Sequence, residues 1–330
     1  MWGDEYMNTK LKINLLVILV MIMITGCKAD GKGYDSSSEH LKKSENFDQI
    51  KTEIEAERNN ENSINSEKIN IEETDKKEKL VSEEIVDTIE NRIKAPENFS
   101  RTSVLEDSFA SYLRQLPLKS KGSIVHYYNG NEKLVNNVYS DVVDMDIGDQ
   151  NLQQCADAVM RLRAEYLLKA EKSDDIHFNL TNGFNVPYKK WKAGERVVVE
   201  GNETYWIKGA DSSSTYESFR EYMEFIFTYA GTLSLSQELE SKEYMDMEIG
   251  DVLIKGGSPG HCVIVVDMVE NTETHEKKYM LAQSYMPAQD IQILFNPEKE
   301  NNVWYDLKET ENIKTPEWTF DTNQLKKFSN

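Results

Sequence analysis

Three side chains that could do chemistry lie together in residues 256–262, which read GGSPGHC. Ser258 stands between glycines in the spacing G-x-S-x-G, which is typical of a hydrolase nucleophile. Such a serine needs a helix directly after it, whereas here Pro259 is soon followed by the β-branched run VIVV. We therefore predict that Ser258 shapes a turn between two strands and is not a nucleophile.

The two strands predicted on either side of this turn have the sequences GDVLIKGG and HCVIVVDMV. Side chains alternate between the two faces of a strand, so His261 points one way and Cys262 the other, while Asp267 shares the face of His261. Cys262 therefore cannot act together with His261, and we predict that it lies in the hydrophobic core. His261 follows a glycine-rich turn that allows a close approach, and it needs a nucleophile from another part of the chain.

A predicted helix upstream can supply that nucleophile. Residues 146–168 carry apolar side chains at helical spacing, with Asp149 or Asn151 available as the N-cap. Cys155 falls in the first or second turn, where unpaired backbone N–H groups favour a negative charge and lower the pKa of a thiol. The same N–H groups can stabilise an oxyanion during acyl transfer. We therefore predict that Cys155 attacks as a thiolate and that His261 is its base.

A third predicted strand, KKYMLAQSY, follows the hairpin loop ENTETHE and runs back along the strand of His261. This hairpin brings the polar side chain of Gln283 to a position beside His261. An alternative base is His126, in the strand-like stretch SIVHYYNG, which precedes the cysteine in the chain. We rank His126 below His261 because no glycine-rich turn opens an approach to it.

The helix start CADAV, the strands GDVLI and GHCVIVV, and the polar residue on the next strand resemble the NlpC-type and CHAP-type amidases and endopeptidases. These enzymes are the cell-wall-directed branch of the papain-like superfamily. The resemblance implies an α+β, papain-like (NlpC-type) fold, in which a nucleophile helix packs on an antiparallel sheet and extra helices are added. It also implies a triad of Cys155, His261 and a polar residue that orients the imidazole, here Gln283 or, alternatively, Asp267. Gln150 would correspond to the upstream glutamine that donates to the oxyanion in papain-like proteases.

Residues 84–330 are also similar, over nearly their whole length, to a bacterial family known as domain of unknown function 4846. The similarity is carried by the runs SFASYLRQLPL, QQCADAVMRLRAEYL, HFNLTNGF, YAGTLSLSQEL, GDVLIKGGSPGHCVIVVDM, LAQSYMPAQDIQIL and TPEWTF. This similarity implies no activity by its name, so the predicted function depends on the residues described above.

The N-terminus predicts export. Lys10 and Lys12 precede an apolar run, residues 13–24, that is too short for an ordinary membrane-spanning helix and ends in small residues before Cys27. The sequence ITGC at 24–27 resembles the bacterial lipobox, in which the cysteine is acylated and the chain is cut just before it. We therefore predict a lipoprotein signal peptide in residues 1–26, lipidation of Cys27, and an extracytoplasmic protein anchored to the cell membrane.

The composition divides the rest of the chain in two. Residues 28–79 are rich in Ser, Glu, Lys, Asn and Asp and almost without aromatic residues, so they cannot bury enough apolar surface to offset the entropy lost on ordering. We predict that residues 27–83 comprise the acylated Cys27 and a disordered polar tether. Nearly all Trp, Phe and Tyr lie beyond, and residues 84–330 are predicted to form a single domain.

Charge and metal-ligand content exclude several classes of partner. The net charge of −20 and the pI of about 4.8 argue against nucleic acid, because phosphate binding needs a basic face. An acidic surface is also repelled by anionic lipid headgroups, so membrane association is expected to come from the acyl chains. With Cys27 assigned to lipid, two cysteines remain, and no histidine has metal-ligand spacing. We predict no metal and no cofactor.

These features predict a lipid-anchored, extracytoplasmic thiol hydrolase, an amidase or endopeptidase, that acts on peptidoglycan peptides or another envelope amide. The alternative is a catalytically silent binding or scaffolding module of the cell envelope, in which Cys155 is a small core residue. The reactivity of the Cys155 thiol would distinguish the two, because an active nucleophile is accessible and has a low pKa.

Overall fold

A computed structural model of the chain describes residues 87–135, 137–201 and 203–329. The predictions for the signal peptide, for Cys27 and for the tether of residues 28–83 concern residues outside these ranges. The helices in the described ranges are α1 (Ile89–Arg92), α2 (Phe109–Arg114), α3 (Cys155–Lys169), α4 (Tyr188–Lys192), α5 (Tyr216–Tyr229) and α6 (Thr232–Glu238). None of these helices has the length and apolar character needed to cross a membrane.

The same ranges contain fifteen strands. They are β1 (Phe99–Arg101), β2 (Tyr139–Val142), β3 (His177–Asn179), β4 (Asn185–Pro187), β5 (Glu195–Glu200), β6 (Glu203–Lys208), β7 (Glu240–Ser241), β8 (Val252–Lys255), β9 (His261–Asn271), β10 (Lys277–Gln283), β11 (Gln292–Leu294), β12 (Trp304–Leu307), β13 (Asn312–Lys314), β14 (Thr319–Asp321) and β15 (Leu325–Lys327). Single turns of 3₁₀ helix lie at Ser173–Asp175, Tyr244–Asp246 and Thr322–Gln324.

Nine of the strands form one sheet in the order β2-β11-β10-β9-β8-β15-β7, with β1 paired to β9 and β12 paired to β10. The other six form three separate hairpins, β3–β4, β5–β6 and β13–β14. The strand β9 is central, since it is hydrogen-bonded to β8, β10 and β1. The helix α3 packs against β9, so the sheet sets the position of the helix start.

The predicted strands around residues 250–285 are confirmed as β8, β9 and β10. The run from His261 to Val269 is buried throughout, which explains why it is continuously apolar instead of alternating with polar residues. One face of β9 packs in the core cluster that includes α3, and the other face packs in a second cluster that contains Val263 and Val265. Cys262 is fully buried on the α3 side, so the prediction that it lies in the core is confirmed.

A β-bulge in β9 changes which residues share a face. Met280 of β10 pairs with Asp267, but the next residue, Leu281, pairs with Val265, so Val266 is an extra residue without a partner. The alternation of side chains restarts after this residue. The prediction that Asp267 shares the face of His261 is therefore wrong.

The carboxylate of Asp267 is fully buried and held by two arginines. Arg101 Nε lies 2.8 Å from Oδ2, and Arg114 Nε lies 2.5 Å from Oδ1. Arg114 also donates to the carbonyls of Thr102 and Met268. These contacts attach α2 and the segment after β1 to the middle of the sheet.

The predicted fold class, α+β and papain-like (NlpC-type), is also wrong. The described residues form mostly antiparallel β structure organised around the nine-stranded sheet, with few helices. The prediction depended on one helix and three strands, α3 and β8 to β10. The six remaining strands of this sheet have only two to four residues each, which gives too little alternation to identify a strand in a sequence.

Candidate active site

Cys155 is the first residue of α3, and an acidic side chain two residues later fixes this helix start. The N-cap is Gln154, whose backbone N–H donates to Asp157 Oδ2 at 2.9 Å. Asp149 and Asn151, the predicted N-caps, lie further upstream, so that prediction is wrong. The first N–H groups of a helix have no carbonyl to donate to within it, and those of the α3 start lie at the thiol.

The surroundings of Cys155 favour its thiolate. Its pKa is lowered to about 4, first by hydrogen bonding with the Cys262 thiol and then by the hydrogen bond and charge of His261 and by the Cys262 backbone N–H. Burial opposes this, since Cys155 is only 8% exposed. The pKa of the Cys262 thiol is raised well above its ordinary value, first by burial and then by Cys155. Of the two neighbouring thiols, Cys155 is therefore the one that ionises. Cys262 lies in the core and also stabilises the Cys155 thiolate through a hydrogen bond.

Asp157 is a second buried acid at the same helix start. Its Oδ1 has no hydrogen-bond partner among the described residues. Burial raises the pKa of Asp157 well above its ordinary value, and the negative charge of Cys155 raises it further. The side chain therefore favours the protonated form, in which it does not add a second negative charge beside the thiolate.

His261 begins β9 and is almost completely buried, at 2% exposed. Its ring packs against three aromatic rings, those of Tyr285, Trp318 and Phe320, with centroid distances of 4.7, 5.4 and 5.9 Å. These contacts leave the imidazole little freedom to rotate, which favours a single orientation of its two nitrogens.

The glycine-rich turn before His261 does allow a close approach, and the segment that approaches is the start of α6. A Cβ atom on Gly260 would lie 2.4 Å from the hydroxyl of Thr232 and 2.3 Å from the carbonyl oxygen of Gly257. No side chain fits at these distances, so glycine is required at 260. Ser258 is exposed in this turn and makes no hydrogen bond in the described part of the chain.

Gln283 ends β10 and contacts His261 directly. His261 Nε2 and Gln283 Oε1 are 2.8 Å apart. The other end of the amide, Nε2, donates to Glu317 Oε2 at 2.7 Å, and the ammonium of Lys133 lies 2.8 Å from the same oxygen. The structure therefore brings Cys155, His261 and Gln283 together, with a charged pair behind the amide.

The other candidates from the sequence lie elsewhere. Asp267 is occupied by Arg101 and Arg114 beyond the bulge and does not contact His261. The side chain of His126 is 43% exposed, and its Nδ1 lies 3.9 Å from Asp290. Gln150 is exposed in the segment before α3, where its carbonyl accepts from the Leu152 N–H at 2.8 Å.

Within the described ranges, no group of three or more His, Cys, Asp or Glu side chains is arranged to hold a metal ion. Two surface cavities lie away from Cys155 and His261. One is lined by Tyr244, Tyr279 and Tyr305, and the other by residues 102–105 together with Met247 and Ile249.

A family model described as domain of unknown function (4846) matches residues 89–327. The chain belongs to this family. No curated protein and no solved structure is significantly similar to the chain. The family description does not link the chain to NlpC-type or CHAP-type enzymes.

All the residues of the candidate site lie inside the segment that defines domain of unknown function 4846. Sequence reasoning missed Glu317 and Lys133, which lie in loops outside the helix and the three strands that the sequence predicts around the site. The one available signal was the run TPEWTF at 315–320, in which only Trp318 suggested a groove wall. In the structure this run supplies Glu317 and two of the three aromatic rings that contact His261, those of Trp318 and Phe320.

Proposed function

We propose that this protein is a thiol hydrolase of amide bonds, with Cys155 as the nucleophile, His261 as the base and Gln283 as the residue that orients the imidazole. The observation that supports this most directly is the thiol at the start of α3, with its pKa lowered to about 4 beside an imidazole that is hydrogen-bonded to Gln283. Buried thiols without such partners have a raised pKa, as Cys262 has.

In the first half of the reaction, the Cys155 thiolate attacks the carbonyl carbon of the substrate and a C–S bond forms. The negative charge that develops on the carbonyl oxygen is stabilised by the free N–H groups at the α3 start. The C–N bond then breaks, and His261 gives its proton to the leaving amine. The product of this half is an acyl-enzyme on Cys155.

In the second half, water replaces the amine. His261, now neutral, takes a proton from the water as it attacks the thioester carbonyl, and the C–S bond breaks to release the acid. If an amine enters instead of water, the same steps give transfer. Gln283 accepts a hydrogen bond from the imidazole throughout and holds the ring toward Cys155.

The proposed substrate class is a peptide amide of the cell envelope, most directly in peptidoglycan. The support comes from the sequence, in which a lipobox-like ITGC and a polar segment precede the folded domain. A domain tethered to the membrane by acyl chains at Cys27 can reach the adjacent cell wall. The order of cysteine, histidine and polar residue is also similar to that of NlpC-type and CHAP-type enzymes. The fold is different, but catalytic constellations of this kind recur on unrelated folds.

Alkylation of Cys155 by iodoacetamide is expected to stay fast as the pH falls toward 4 and to slow only below it. The thiolate is the reactive form, and a lowered pKa means that it persists below the ordinary thiol range of about 8.5 until the pH falls through the folded-state value. Timed labelling and mass spectrometry of the Cys155 peptide measure this, with circular dichroism to confirm that the protein is folded at each pH.

The same cysteine in denaturant serves as the control and should titrate as an ordinary thiol. Replacement of His261 with alanine should move the midpoint of the folded-state profile upward. Labelling of Cys262 in preference to Cys155, or an inert Cys155 in the folded protein, would contradict the proposed hydrolase.

One observation favours the second candidate function, a catalytically silent binding or scaffolding module. Cys155 and His261 are 8% and 2% exposed, and the two surface cavities described above lie away from them. In such a module the pair would only fill the core between α3 and β9. An inert Cys155 in the labelling experiment would support this function in place of the hydrolase.

Replacing Cys27 with serine is expected to release the protein from the membrane, because serine cannot carry the thioether-linked lipid of a lipoprotein. Fractionation of a bacterial host that expresses the wild-type protein or the Cys27→Ser variant measures this. The wild-type protein should sediment with membranes, and the variant should not. Membrane association that persists in the variant would contradict the lipid anchor.

A further inference from the structure

The orientation of the Gln283 amide is set by a carboxylate on its far side. The two ends of a glutamine amide differ only in donor or acceptor character, so the neighbours decide which end points where. Glu317 Oε2, which lies 2.7 Å from one end, is an acceptor when ionised and therefore requires the NH₂ end. The carbonyl oxygen of Gln283 must then face His261, as the 2.8 Å contact with Nε2 shows.

This orientation selects one tautomer of His261. An amide oxygen only accepts, so the proton of a neutral imidazole must be on Nε2. Nδ1 then carries the lone pair, and it is the nitrogen left to face the Cys155 thiol. With the amide rotated by 180°, its NH₂ group would instead donate to Nε2. The proton of the neutral ring would then be on Nδ1, the nitrogen that faces the Cys155 thiol.

Lys133 contacts the same Glu317 oxygen that contacts the Gln283 amide. The Lys133 side chain is 3% exposed, its ammonium lies 2.8 Å from Glu317 Oε2, and its backbone N–H is fixed on the Val125 carbonyl. The ammonium also lies 5.7 Å from the ring of Tyr285, which packs on His261. An ammonium can only donate, so the Glu317 oxygen that Lys133 contacts accepts, and the same oxygen accepts from the NH₂ end of the Gln283 amide.

We propose that Glu317 and Lys133 are positioning residues that fix the tautomer of His261 through the amide of Gln283. This inference rests on the proposed function, because it assigns a purpose to the imidazole nitrogen that faces Cys155. Lys133 contacts Glu317, Glu317 contacts the Gln283 amide, and the amide contacts His261. Lys133, Glu317 and Gln283 can therefore act on the imidazole without touching the substrate.

The test compares Glu317→Gln with a matched control, Glu311→Gln. Glutamine has nearly the shape of glutamate but both donates and accepts, so the Gln283 amide is no longer held in one orientation. Glu311 is an exposed glutamate a few residues before Glu317, so its replacement makes the same chemical change away from His261.

The first measurement is the tautomer of His261 from its ¹⁵N chemical shifts. It is made in a Cys155→Ala background at about pH 8.5, above the ordinary range of imidazole titration, so that the ring is neutral. The expected result is a single Nε2–H tautomer with Glu317 or with the Glu311→Gln control, and a mixture of tautomers with Glu317→Gln.

The second measurement is the pH profile of Cys155 alkylation, with the thiol present. In Glu317→Gln the midpoint of the profile is expected to rise by about one pH unit, which corresponds to a tenfold lower alkylation rate below the midpoint. In Glu311→Gln the midpoint is expected to stay unchanged. Unchanged tautomer and unchanged profile in a folded Glu317→Gln variant would overturn the inference.

The two proposals can fail separately. If wild-type Cys155 has no low-pH reactivity, the hydrolase fails, yet the ¹⁵N measurement still decides the role of Glu317, because it needs neither the thiol nor a substrate. If Glu317→Gln does not fold, the chain with Glu317 intact still gives a decisive result. An Nδ1–H tautomer there would overturn the inference.

Discussion

Replacing either Cys155 or His261 with alanine is expected to abolish hydrolysis of peptidoglycan peptides by a similar factor, on the order of 10⁴-fold or more. The two residues act as one unit, because the thiolate needs the imidazole and the imidazole has no task without the thiol. The double variant should therefore be no worse than either single variant. Release of amine or new carboxylate from purified muropeptides, followed by chromatography and mass spectrometry, measures the loss.

Ser258→Ala is the matched control for this experiment, since Ser258 is exposed in the turn three residues before His261. It should keep most of the activity. Cys262→Ala should also retain activity near neutral pH. It removes the hydrogen bond that lowers the pKa of Cys155 most, so the pKa of that thiol should rise. Full activity in Cys155→Ala would show that Cys155 is not the nucleophile. Loss of activity in a folded Ser258→Ala variant would show that Ser258 does more than shape the turn.

Replacing Asp267 with alanine is expected to lower the free energy of unfolding by about 3–5 kcal/mol, the largest stability effect that we predict. The change removes the carboxylate that pairs with Arg101 and Arg114, and it leaves the guanidinium of Arg114 buried, at 4% exposed, without a counter-charge. Urea unfolding followed by circular dichroism measures the difference. Activity per folded molecule should change little, because Asp267 does not contact His261.

Asp306→Ala provides the comparison. Asp306 also pairs with two cations, Lys278 and Lys299, but its side chain is 26% exposed and water can replace the lost contacts. Because water reaches this carboxylate, the expected loss of unfolding free energy is smaller than that of Asp267→Ala. Equal losses of unfolding free energy in Asp267→Ala and Asp306→Ala would contradict this prediction. They would mean that burial of the ion pairs between Asp267 and its two arginines does not add to the stability of the sheet.

The elements with long regular patterns could be predicted from the sequence. The helix α3 has enough residues for its periodicity to appear, and β9 and β10 are longer apolar runs bounded by turns. The β9–β10 hairpin was sufficient to place Gln283 beside His261. The fold as a whole could not be predicted, because most strands of the sheet are too short to be recognised and their order depends on contacts far apart in the chain.

Other failures have local causes. The bulge at Val266 consists of one extra residue in a uniformly apolar run, so nothing in the composition marks it, yet it turns Asp267 away from His261. Glu317 and Lys133 come to the site from loops, and their contacts depend on where the C-terminal hairpin and the segment before β2 lie on the sheet. Pattern alone gives no such information.

The central position of β9 also determines how this site can move. His261 begins a strand that is hydrogen-bonded to β8 and then to β1 on one side and to β10 on the other, and whose first nine residues are buried. Amide protons in such a strand exchange with solvent only when most of the domain opens. The imidazole therefore cannot swing out to meet a substrate. Access to Cys155 must come from the surrounding loops, such as the segment of Tyr285, which is only partly buried.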